Sequence, residues 1–200
     1  MELSGAKSNS GLGFLTVVEY PQQGLFGGYL VLNPAGRPLE FHCTAPIQPN
    51  RAQQILYGPT LQPYLFGELI GQTLLGKAKV EPLVVCTDRE AALAVGDYVG
   101  VPVALVLPPQ GVEDLGADMP SDAPLPSESE GQVRRVDGAH CGCPGLVAFR
   151  LGQNHLAVPA PRGDDQRRII DRLGELGESF NLAEPFQRIR EAIEEARRGG

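Results

Sequence analysis

The sequence predicts an α+β fold tending to α/β: a mixed β-sheet with an N-terminal antiparallel meander, a βαβ unit, packed helices and a C-terminal helical pair. Three observations carry this. Between residues 14 and 44, three segments rich in β-branched and aromatic residues follow one another across turn residues. Two apolar runs, 82–86 and 101–107, flank a helix-patterned stretch, as parallel strands joined by a crossover do. From Asp164 onward the apolar residues recur at helical spacing.

The first strand is 14–20, between Gly13 and Pro21, and the second is 28–32. Asn33-Pro34-Ala35-Gly36 is a turn in which Pro34 presets φ and Gly36 accepts the left-handed region. The third strand, 38–44, puts Leu39, Phe41 and Cys43 on one face and Glu40, His42 and Thr44 on the other. Asn50 then caps a helix with Gln53 at the capping-box position, and Ala52, Ile55 and Leu56 form its apolar stripe. Gly58-Pro59 breaks that helix. A second runs from Thr60 to about Lys79, with Gly67 and Gly71 on one face for close packing. After the strand ending at Cys86, Thr87 caps the crossover helix with Glu90 at its third position. A hairpin spans 146–151 and 155–158, and helices follow from Asp164 or Asp165 and from Asn181.

The predicted organisation is a flexible leader at 1–12, an α/β core at 13–108, a disordered acidic Pro/Ser-rich loop or linker at 109–131, and the hairpin with its two helices at 132–200. The segment Gly27-Gly28-Tyr29-Leu30-Val31-Leu32-Asn33-Pro34-Ala35-Gly36-Arg37-Pro38, followed by a strand and a long helix, resembles profilin-like or roadblock-type sensory scaffolds. A net charge of −7 speaks against a general nucleic-acid binder, so no nucleic-acid partner is expected. No apolar run reaches the ~20 residues needed to span a bilayer, so no membrane partner is expected and the expected setting is cytoplasmic.

The chemistry-bearing residues are few. His140, Cys141 and Cys143 lie within four positions, and His42 and Cys43 are adjacent far upstream. Together they supply the nitrogen and sulfur ligands that tetrahedral zinc needs, although C-x-C is tighter than the common spacing. Zinc is the one cofactor these residues suggest. Cys86 stands at the carboxyl end of an apolar strand, where open α/β sheets place ligands, and Asp88-Arg89-Glu90 follow it. No phosphate-binding glycine loop is present. The chain therefore reads as a cytoplasmic binding or regulatory protein without a clear catalytic constellation. It would act through a protein partner, docked by the amphipathic helix 181–198. The alternative is a zinc-binding or thiol-dependent enzyme or sensor built on His140, Cys141 and Cys143 with His42 and Cys43.

Overall fold

The period-two alternation of the first three segments becomes an antiparallel meander of β1 (Gly11–Tyr20), β2 (Gly24–Leu32) and β3 (Pro38–Cys43). The structure is a computed structural model and describes residues 11–108, 134–136 and 145–198. The expected 109–131 segment and the His140–Cys143 cluster lie outside those residues. Gly11 and Leu12, assigned to the leader from sequence, belong to β1.

β4 (Pro82–Thr87) pairs in parallel with β1, and β5 (Val103–Leu107) pairs in parallel with β4. β6 (Arg134–Val136), β7 (Leu146–Leu151) and β8 (Asn154–Pro159) complete the sheet. The order is β3-β2-β1-β4-β5-β8-β7-β6. The C-terminal hairpin thus joins the same sheet through β5 and β8.

Between β3 and β4 run α1 (Arg51–Tyr57) and a longer helical rod, α2 (61–77). The capping box at α1 forms as expected: Asn50 Oδ1 accepts from Gln53 N at 2.8 Å, and Gln53 Oε1 accepts from Asn50 N at 3.0 Å. Its apolar stripe is not packed, however, and Ile55 and Leu56 face solvent. The middle of α2, Tyr64–Gly71, is a π-helix. Gly67 and Gly71 explain its path. A Cβ on Gly67 would stand 2.6 Å from Ala94 Cβ and 2.7 Å from Val95 N, so α2 lies directly on the crossover between β4 and β5. That crossover is a 3₁₀ helix, Glu90–Asp97. Thr87 does not cap it. Its hydroxyl instead accepts from Arg89 N at 3.1 Å, and the helix starts after that turn.

β4 is buried on both faces, as its uniform apolar character implied: Val84 and Cys86 look to one side, Val85 and Thr87 to the other. On one side Leu15, Val17, Tyr29 and Val31 pack under Leu65, Ile70 and Leu74 of α2 and Ala92 and Val95 of the crossover. On the other, Leu12, Phe14, Leu30 and Leu32 pack under α3 (Asp164–Ser179) and α4 (Glu184–Arg198). The sheet is therefore the middle of three layers. Among the described residues no helix is long and apolar enough to cross a membrane.

Candidate functional site

β4 ends beside the middle of β1, with Thr87 opposite Leu15, and β1 runs on to Tyr20. The chain leaving β4 turns sharply there, held by the Thr87 hydroxyl and by Arg89, whose Nε donates to the Val17 carbonyl at 3.0 Å. This turn sets Asp88 at the mouth of an open crevice of about 390 Å³ between β1, the end of β4 and α2. Val17 and Val18 form its floor, Phe66 and Gln62 come from α2, and Glu19, Asp88, Arg89 and Glu90 bring charge. Parallel strands bind ligands at this end because the backbone there turns away and leaves a concavity.

Asp88 is the focus of the crevice. Its side chain is 15% exposed, and its Oδ2 accepts from Arg190 Nη2 on α4. Its Oδ1 is buried and finds no donor among the described residues. An acceptor stripped of water without a partner costs about 1–3 kcal/mol, and the Arg190 pair, with a guanidinium 43% exposed, returns little of it, since such pairs contribute about 0–1 kcal/mol. Asp88 is thus an acceptor held ready for an incoming N–H.

A hard divalent cation needs several oxygen ligands converging on one point. Glu19, Asp88 and Glu90 do not provide this. No group of three His, Cys, Asp or Glu side chains is placed to hold a metal among the described residues, and Arg89 and Arg190 bring positive charge into the same space. The donor set does not fit such an ion.

The residues expected to form a zinc site fare as follows. His42 is half-buried on β3, with Nε2 4.0 Å from Glu40 Oε2, and Cys43 is exposed on the opposite face of the strand. Glu40 is already engaged: it accepts from Lys79 N at 2.9 Å and from Val80 N at 3.1 Å. His140, Cys141 and Cys143 fall between β6 and β7, outside the described residues. β3 is one edge of the sheet, and β7 and β6 are the other, with five strands between β3 and β7. At ~4.8 Å per strand, β3 and β7 stand about 29 Å apart. Cys86 is fully buried, and loss of solvation pushes its thiol up to about 12, which removes it as a nucleophile. Tyr57 and Tyr64 stack on each other with centroids 4.2 Å apart.

No family model matches the sequence, and no curated protein matches it. Among solved structures, the chain is similar to Ciona intestinalis Endonuclease V in complex with inosine-containing DNA. The TM-score is 0.47 and the identity 11%, over 94% of this chain and 86% of that one. It is also similar to human Endonuclease V, with TM-score 0.44 and 14% identity over 96% of this chain and 87% of that one. At these values the likeness carries no argument about the activity of this chain.

Three expectations are corrected. The protein-docking role needed the apolar face of 181–198 to be free, but Phe186, Ile189 and Ile193 are buried against the sheet. The zinc or thiol alternative finds no support among the described residues: no group of three His, Cys, Asp or Glu side chains is placed to hold a metal there, and His140, Cys141 and Cys143 lie outside them. The absence of a nucleic-acid partner was inferred from net charge. Solved structures similar to this chain include one in complex with DNA, and a chain-wide charge does not describe a local surface.

Proposed function

We propose that this chain binds an unpaired nucleobase in the crevice between β1, β4 and α2, as a nucleoside or within a single strand. The observation that carries the reading is the buried, unpartnered Asp88 Oδ1. A base is a flat apolar plate with a polar edge. Phe66 and Val18 offer apolar surface for the plate, and Asp88, Glu19 and Glu90 offer acceptors for its edge. Arg89 supplies the donor for an exocyclic carbonyl oxygen or a ring nitrogen. Recognition of an unstacked base by edge hydrogen bonds and aromatic contact has this form. The acceptor-rich lining favours an edge bearing adjacent imino and amino donors, as guanine does. The excess of carboxylates disfavours a phosphate at that point, so the base and not the backbone enters. No reaction is assigned, and a cytoplasmic setting goes with the reading, since the described thiols Cys43 and Cys86 are free.

The test is calorimetric titration of guanosine, adenosine, cytidine and thymidine into the wild type, Asp88→Asn and Phe66→Ala. Guanosine is expected to bind tightest. Each substitution is expected to weaken it about tenfold or more, the scale of one stacking contact or one edge pair. Equal binding by the wild type and both variants, or no binding of any nucleoside, would sink the proposal.

A further inference from the structure

A second open cavity of about 470 Å³ lies on the α4 side of β1, lined by Val18, Tyr20, Arg190, Glu191, Glu194, Glu195 and Arg198. Val18 borders both cavities. Asp88 lines the first, Arg190 lines the second, and the two side chains are bonded to each other. Their ion pair is therefore the partition between the cavities.

The two partners are unequal. Asp88 is fixed in the turn after β4 and mostly buried, while Arg190 is a long side chain with 43% of its surface in solvent. Arg190 can swing outward by rotamer changes alone, whereas Asp88 cannot follow it into water. The partition opens without backbone movement, but opening leaves both Asp88 oxygens without donors. A ligand bearing adjacent N–H groups replaces what Arg190 gave. A ligand without them leaves a buried carboxylate unpaired, and the partition closes again.

We infer that Arg190 is a displaceable gate, and that the ligand of the opened groove is a short single strand of nucleic acid and not a lone nucleoside. This rests on the nucleobase reading above. Exchange at Asp88 satisfies the carboxylate but strands the guanidinium. A phosphodiester beside the bound base gives Arg190 an acceptor in turn; Arg198, on the same wall, is paired with Glu194 at 3.2 Å. A nucleoside has no phosphate to offer. Both charges of the broken pair are matched only when base and backbone arrive together. The neighbouring Glu191, Glu194 and Glu195 keep the groove from favouring longer, phosphate-dense contact.

The experiment compares guanosine with a trinucleotide carrying a central guanine, titrated into the wild type and Arg190→Ala. Arg190→Gln serves as a second variant of similar length, so that a packing defect cannot imitate the result. The wild type is expected to bind the trinucleotide at least tenfold tighter than guanosine. In both variants guanosine should bind more tightly than in the wild type, because its competitor for Asp88 is gone, and the preference for the trinucleotide should vanish. Guanosine binding that needs Asp88 but is unaltered in both Arg190 variants, with the trinucleotide preference intact, would overturn the gate and leave the nucleobase reading standing. Failure of all three proteins to bind either ligand would overturn both.

Discussion

Single atoms decide where the two helical layers can sit. Gly27 and Gly28 are consecutive on β2 and point to opposite faces. A Cβ on Gly27 would fall on Ile70 of α2, and one on Gly28 would fall on Ile189 of α4. Glycine is therefore required at both positions for close approach. Gly28→Ala is expected to cost about 1–3 kcal/mol, read as a lower urea midpoint, while Gly100→Ala, with open space around it, should shift the midpoint little. An unchanged midpoint for Gly28→Ala would mean that α4 packs more loosely than described. At this scale the sequence was legible where partners are close in the chain. Asn50 and Gln53 announced their reciprocal cap because they are three residues apart. Asp88 and Arg190 are 102 residues apart, and nothing local marks Arg190 among the arginines of its helix. Asp88 was visible only as a neighbour of Cys86 at a strand end, with its unpartnered oxygen hidden.

Elements are joined here by side chains that substitute for missing backbone partners. Glu40 on β3 gathers the free N–H groups of Val80 and Lys79 between α2 and β4. The Val80 N–H, then that of Lys79, holds the Glu40 carboxyl below its usual value, against an opposing push from lost solvation. A lowered carboxyl pKa contributes stability that is complete above the unfolded value and lost as pH falls through the folded one. Glu40→Gln should therefore be less stable than the wild type above about pH 5, with the gap closing below about pH 4. Urea melts across that range check it, and a gap constant with pH would refute the clasp. Strand and helix positions were legible because periodicity survives in short windows: β4 was expected to be buried on both faces and is. The π-helix of α2 and the 3₁₀ crossover were not. Gly67 and Gly71 of the π-helix lie against residues 94 and 95 of the crossover, and windowed periodicity does not register such contacts. The exposed stripe of α1 misled in the opposite sense, since apolar spacing there does not mean burial.

Across the whole molecule, the meander and the βαβ unit were both readable, but their junction was not. The parallel pairing of β1 with β4 creates the crevice, and it joins residues about 70 positions apart in the chain. The same distance problem left α4 with two readings from its sequence, a docking helix or a cover for the sheet, and it is the cover. A chain ending at residue 180 is expected to lose cooperative unfolding and to bind a dye specific for exposed apolar surface, because Phe14, Leu30 and Leu32 lose their cover from Phe186, Ile189 and Ile193. A truncated chain that melts like the full one would show that α3 alone suffices.

That cover has a consequence for the order of events in folding. Arg197 on α4 bonds Gln23 across 174 residues, and Arg188 bonds the Gly36 carbonyl across 152. The meander thus waits for a helix 152 to 174 residues further along the chain before one of its faces is sealed. Contacts of such long sequence separation make folding slow, and in that interval the naked face of the meander is a natural client for chaperones.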